Sequence, residues 1–166
     1  MTHLRKSSRR GTAAIEFAFV GVPMILVTIS VVSIALEMWQ YSSLSYATES
    51  TARYISMHGA SCRQNGNTCG ITVGDVATYF AGQAIGMGAS QLTLTLTDGS
   101  GSTNCAPPYT SCETSSSAFP ALTANNVGSD ITVKATIPVT NPISMFWARD
   151  TSSYNLGATS TQRIAF

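Results

Sequence analysis

The stretch that decides the fold is residues 9–36, which read RRGTAAIEFAFVGVPMILVTISVVSIAL. After Glu16 this stretch carries no charge, and its 20 uncharged residues suffice to cross the roughly 30 Å hydrocarbon core of a bilayer as a helix. The sequence therefore predicts a membrane-spanning segment over residues 12–36.

Basic residues before this segment predict its topology. Four of the nine Lys and Arg residues lie within the first eleven positions, and they are Arg5, Lys6, Arg9 and Arg10. Basic residues beside a first membrane helix keep that end in the cytoplasm, whereas the far flank begins with Glu37. We therefore expect a single-pass inner-membrane protein whose residues 59–166 form a head domain in the periplasm or outside the cell.

The remaining charges argue against a nucleic-acid partner. Beyond residue 11 the chain has five basic and eight acidic side chains, so it offers no basic surface for a phosphate backbone. Charged residues make up only 10% of the chain, and Ser, Thr, Gly and Asn supply most of the polar surface, which is typical of secreted or cell-surface proteins.

Glu16 is the acid that needs an explanation. A charge at the bilayer centre costs up to roughly 3 kcal/mol and less near the edge, so an acid in such a segment suggests a function. An acid in the first turn of any helix is also favoured by the helix dipole, by roughly 0.3–1 kcal/mol. The basic patch, Gly11 and Glu16 together resemble a type III (prepilin) signal, in which cleavage after glycine leaves a glutamate at the fifth mature position. Here Thr12 would become the new N-terminus.

The helical pattern continues beyond the membrane and predicts one helix over residues 12–58. Apolar and small polar residues recur every three or four positions, and they are Tyr41, Leu44, Thr48, Thr51 and Ile55. Glu49 and Arg53 have the spacing of a favourable i,i+4 ion pair. Such a stripe is expected to pack on the head domain, on a neighbouring subunit, or on both.

The head domain is predicted to be α+β, with a second short helix and an antiparallel sheet of about three strands. The predicted elements are a helix over 73–87, strands over 91–97, 130–139 and 158–166, and a long loop over 98–126. The apolar patch 142–147 is interpreted as core, with an exposed partner surface as the alternative.

Four cysteines lie beyond the membrane segment, and they are Cys62, Cys69, Cys105 and Cys112. Disulfides persist on that side of the membrane, and we favour the two local pairs 62–69 and 105–112 because each closes one loop. Zinc sites use shorter spacings, so no metal is expected.

The first helix is similar to that of the TadE-like pseudopilins of the tight-adherence (Tad/Flp) pilus system. The resemblance is carried by residues 11–18, GTAAIEFA, and by residues 47–54, ATESTARY. It implies cleavage by a prepilin peptidase between Gly11 and Thr12, with Glu16 and Phe17 as assembly and register residues. It also implies a structural role as a minor pilin or pseudopilin in the assembly or priming of a surface-adhesion pilus. The implied partners are other pilin subunits, the inner-membrane assembly platform and the lipid bilayer. The four cysteines and the Ser/Thr-rich loop depart from this family's pattern.

An enzyme is not expected, since no nucleophile, metalloprotease or phosphate-binding motif is present, and no cofactor is implied. Two alternatives stay open at this point. One is an uncleaved, membrane-anchored periplasmic binding module, and the other is a pseudopilin of a type II secretion machine.

Overall fold

The structure is a computed structural model that describes residues 10–58, 70–88, 90–107, 109–140 and 153–165. At residues 10–13 and 140 it describes the backbone alone. The chain divides into two compact units, Met1–Glu37 and Met38–Phe166. Residues 1–9 of the predicted leader peptide (residues 1–11), Cys62, Cys69 and the apolar patch 142–147 lie outside the described residues, so the predictions on them stay predictions.

The predicted long helix is confirmed as α1, Arg10–Ser56, a helix of 47 residues with Pro23 inside it. From residue 14 to residue 36 its side chains are exposed or only partly covered. Beyond Leu44 one stripe is fully buried, as the spacing of apolar and small residues predicts. Its members are Leu44, Ala47, Thr48, Thr51, Ala52 and Ile55. Tyr41 is the exception, because 49% of it is exposed.

The second helix, α2, spans Val73–Gln83 and starts with a capping box. The Asp75 amide donates to Thr72 Oγ1 at 3.1 Å, and the Thr72 amide donates to Asp75 Oδ2 at 2.8 Å. These reciprocal bonds satisfy two amides that the first turn leaves without helical partners. Hydrogen bonds from the Thr72 amide and hydroxyl lower the pKa of Asp75. The helix ends before the predicted Met87, and Gly86 adopts a positive φ of 81° that helical backbone does not allow.

Four antiparallel strands form one sheet in the order β2-β1-β3-β4. The strands are β1 (Thr93–Asp98), β2 (Gly101–Cys105), β3 (Asp130–Thr140) and β4 (Ser153–Arg163). Alternate residues of β1 and β3 are buried, which follows from the two-residue period of a strand. They join the buried stripe of α1 and the apolar face of α2 in one hydrophobic core.

The predicted count of three strands was wrong, because β2 lies inside the predicted loop 98–126. Only Cys105 of β2 is buried, so the strand shows no apolar alternation. The turn before it was the available signal, since a two-residue loop after Asp98 is a common hairpin connection. Asp98 Oδ1 accepts the amides of Ser100 at 2.8 Å and Gly101 at 3.1 Å. Burial opposes ionisation of Asp98, but these bonds and one from the Ala121 amide lower its pKa overall.

The last strand was predicted too short at its start. β4 begins at Ser153 and pairs with β3 over its whole length, from Asp130 opposite Arg163 to Thr140 opposite Ser153. Ala158 is the only buried residue of this edge strand, so hydrophobic periodicity could not place its first half. A short helix α3, Thr110–Glu113, also lies in the predicted loop.

Gly74 allows α2 to approach the chain that follows α3. A Cβ built on Gly74 would lie 2.6 Å from the Glu113 carbonyl oxygen and 2.8 Å from that of Ser115. Both neighbours are backbone, so neither moves cheaply. By contrast, a Cβ on Gly82 of the same helix meets nothing within 4 Å.

We expect Gly74→Ala to lower the free energy of unfolding by about 1–3 kcal/mol, as overpacking does. Gly82→Ala should leave it unchanged or raise it by up to about 1 kcal/mol, since alanine favours helix. Urea unfolding of the full chain in detergent micelles measures both. Equal stability of the two variants would show that the close approach at Gly74 is not a constraint.

Candidate functional site

The start of α1 carries the residues predicted for processing and assembly. Gly11 and Thr12 lie in helical backbone, and Glu16 follows Thr12 by four residues, or about one turn. Glu16 is exposed, and it has no hydrogen-bond or ion-pair partner among the described residues. The helix thus presents a lone carboxylate at the edge of a long apolar surface.

Phe17 and Gly21 form a local feature that the sequence alone did not reveal. Phe17 is 74% exposed, and its ring leans along the helix over Gly21. A Cβ built on Gly21 would lie 3.3 Å from Phe17 Cζ. Because position 21 has no side chain, the ring of Phe17, the residue after Glu16, can lie against the helix there.

The segment that follows satisfies its own polar groups. Three hydroxyls donate to the carbonyl oxygen four residues earlier, each at 2.8 Å: Thr28 to Met24, Ser30 to Leu26 and Ser33 to Ile29. A bilayer core has no water to take these bonds, so internal satisfaction is what such an environment requires. In the described residues, α1 is the one helix long and apolar enough to span a membrane, which fits membrane anchoring.

Trp39 lies just beyond the apolar segment and packs on the head domain. A Cβ at Gly86 would fall 2.5 Å from Trp39 Cη2, and half of Trp39 is exposed. The absence of a side chain at position 86 therefore lets the indole lie against the turn after α2.

A shallow groove of about 410 Å³ lies between α1 and α2. Tyr54 and Tyr79 stack there with ring centroids 4.3 Å apart, and the predicted Glu49–Arg53 ion pair is confirmed on its rim. Burial, with the Asp75 charge and the Tyr79 hydroxyl, raises the pKa of Tyr54. Residues 46, 50 and 54, spaced by four, form the sequence signal that could have located this groove.

The described part of the head contains the predicted Cys105–Cys112 disulfide. Cys105, at the end of β2, is bonded to Cys112 in α3. This bond joins an exposed edge strand to the segment on which α2 packs. Elsewhere in the described ranges, no three His, Cys, Asp or Glu side chains come together as metal ligands would.

Comparison of the chain with protein families gives one match. A family model described as "TadE-like protein" matches residues 11–53. This N-terminal segment is TadE-like. The resemblance predicted from GTAAIEFA and ATESTARY is thereby confirmed over the region that carries those motifs, and the TadE-like family is not a known enzyme family. Searches against curated proteins and against solved structures give no match.

The TadE-like segment therefore covers nearly all of α1 and none of the sheet. It includes the proposed cleavage bond, Glu16, the apolar run and most of the buried stripe. The chain beyond residue 53, including the disulfide, lies outside the match.

Replacing both Cys105 and Cys112 by serine should lower the free energy of unfolding by about 2–3 kcal/mol, because the open loop gains conformational freedom when unfolded. Urea unfolding of the full chain under non-reducing conditions measures the effect. The wild-type chain after treatment with reductant is the matched comparison. Unchanged stability in both would show that the bond does not stabilise the head.

Proposed function

We propose that this chain is a prepilin that a prepilin peptidase cuts between Gly11 and Thr12. The mature chain then acts as a minor pilin or pseudopilin in the assembly or priming of a Tad pilus used for surface adhesion. The observation that carries the proposal is Glu16, an exposed carboxylate five residues beyond Gly11 at the edge of an apolar helix, with no partner among the described residues. The TadE-like match over residues 11–53 supports it.

The proposed location follows from the charge distribution along α1. The leader cations hold the N-terminus at the cytoplasmic face, where anionic lipids attract each by about 1 kcal/mol. Residues 12–36 then cross the inner membrane and the head lies in the periplasm. The partners are the peptidase, the inner-membrane assembly platform and other pilin subunits.

The proposed role of Glu16 is to pair subunits. Hydrolysis of the Gly11–Thr12 bond creates an ammonium at Thr12, close to the lipid. In a filament, the Glu16 carboxylate accepts hydrogen bonds from the ammonium of a neighbouring subunit. The pair neutralises two charges that are costly in an apolar core. Because the ion pair has a fixed distance, it also sets the axial offset between neighbouring subunits. Phe17, seated over Gly21, places an aromatic ring beside this contact.

The first experiment is to determine the N-terminus of the protein from native membranes, with active and with inactivated prepilin peptidase. We expect the chain to start at Thr12 only when the peptidase is active. A chain that keeps residues 1–11 in both strains would instead be an uncleaved, membrane-anchored periplasmic module. Cleavage without any effect of Tad gene deletion on localisation would favour a type II secretion pseudopilin.

The second experiment separates cleavage from assembly. Glu16→Ala should be cut at a near-normal rate, but its recovery in sheared pili should fall at least about ten-fold, because one partner of a poorly solvated pair is lost. Glu37→Ala removes the acid at the other end of the apolar run and is the matched control. Normal recovery of Glu16→Ala, or an equal loss for Glu37→Ala, would contradict the pairing role.

A further inference from the structure

The outward face of the sheet is lined by hydroxyl and amide side chains. Strand alternation sends one set of β1 and β3 residues into the core and the other set outward. The registers arrange the outward residues in three rows that cross the strands. From β2 to β4 these rows are Ser102, Thr97, Thr132 and Thr161; then Asn104, Thr95, Lys134 and Thr159; then, from β1, Thr93, Thr136 and Gly157. We call these residues the hydroxyl face.

Lys134 is the single charge on the hydroxyl face, and it lies in the middle row. From residue 38 onward the structure describes three cations. Arg53 pairs with Glu49, and Arg163 pairs with Asp130 at 3.0 Å beyond the end of the face. Lys134 is exposed and has no acidic partner among the described residues. Within the described residues, the face therefore carries one positive charge without an acidic partner.

The neighbours of Lys134 have free hydrogen-bonding capacity. In the part of the chain that the structure describes, the side chains of Asn104, Thr95 and Thr159 make no hydrogen bond within the protein. Thr132 and Thr161 bond to each other at 2.9 Å, and each hydroxyl keeps further acceptor capacity. The middle row thus offers donors and acceptors on both sides of the cation.

The chemistry of the hydroxyl face selects among classes of ligand. It contains no aromatic and no large apolar side chain, so it lacks both the stacking surface used for bases and the apolar centre of a protein interface. A ligand rich in hydroxyls, with carboxylates spaced along its chain, matches the hydroxyl and amide groups that flank the single ammonium.

We propose that the hydroxyl face binds an acidic polysaccharide, laid across the strands with one sugar carboxylate on the Lys134 ammonium. Neighbouring strands are about 4.8 Å apart, close to the length of one pyranose ring along an extended chain. Successive sugars therefore meet Asn104, Thr95, Lys134 and Thr159 in turn. This inference goes beyond the proposed pilus role and is independent of cleavage at Gly11.

The test uses the full chain in nanodiscs of zwitterionic lipid, with sodium alginate, a polymer of uronic acids, as the probe. Dextran of similar length is the neutral control, and a single-stranded oligothymidylate is the control for simple charge attraction. Binding is followed at low and at high salt. Circular dichroism and the thermal midpoint confirm that each variant keeps the fold, and cleavage by the peptidase is measured on the same samples.

The matched variants are Lys134→Gln, which removes the charge, and Lys134→Arg, which keeps it. We expect Lys134→Gln to weaken alginate binding roughly three- to ten-fold and Lys134→Arg to change it little, since a charge-assisted hydrogen bond is lost only in the first. Thr95→Val keeps the shape and strand propensity but removes a hydroxyl, and should weaken binding by about five-fold. Binding should fall with salt, because the charge is exposed.

The proposal is overturned if alginate does not bind, or if Lys134→Gln binds it as tightly as the wild type. If dextran binds as tightly as alginate, the sugar carboxylate does not contribute to binding and the proposed contact with Lys134 is wrong. Oligothymidylate binding as tight as that of alginate would show charge attraction without recognition of sugar hydroxyls. None of these outcomes bears on cleavage at Gly11, so the pilus proposal fails or stands separately.

Discussion

The rest of the structure depends on what covers the apolar surface of α1. From residue 14 to residue 36 this surface is broad, and in the described part of the chain its side chains are exposed or only partly covered, whereas from Leu44 onward a narrow stripe is fully buried. Apolar area removed from water contributes roughly 25 cal/mol per Å², so each half of the helix requires an apolar environment. The second half finds it in the head, and the first half requires a membrane or other subunits.

The head secures a modest core with short-range constraints. The Thr72–Asp75 capping box fixes the start of α2, the Asp98 side chain fixes the turn into β2, and the Cys105–Cys112 bond anchors the end of that strand. Each constraint acts within a few residues in sequence and needs no large buried area. A domain of little more than a hundred residues buries a smaller fraction of its surface than a large one. The capping box, the turn and the disulfide therefore contribute a larger share of its stability.

The elements that the sequence predicts well are those in which apolar residues recur with a clear period. The uncharged run and the stripe through Leu44 and Ile55 predict α1 nearly to its ends, because burial on one side forces a regular spacing. Strand β3 was found for the same reason. β2 and the first half of β4 are edge strands with almost nothing buried, so main-chain pairing forms them and side-chain pattern does not. Lys134 and Thr159 are neighbours only through the register of β3 and β4, which no local pattern encodes.

Among the acids of the described residues, Glu16 differs from Glu113 and Glu37 in its surroundings. Exposed Glu113 lies on a short polar helix, and half-buried Glu37 lies at the C-terminal end of the apolar run. Glu16 is followed by Phe17 and by a long surface that excludes water once it is covered. Covering that surface raises the cost of the charge, because nothing in the described part of the monomer pairs with it. A neighbouring subunit that brings a cation with its apolar helix would offset this cost. In the assembly proposed above, a cleaved neighbour supplies both, an apolar helix and an ammonium four residues from its own glutamate, so subunit pairing and burial of α1 occur together.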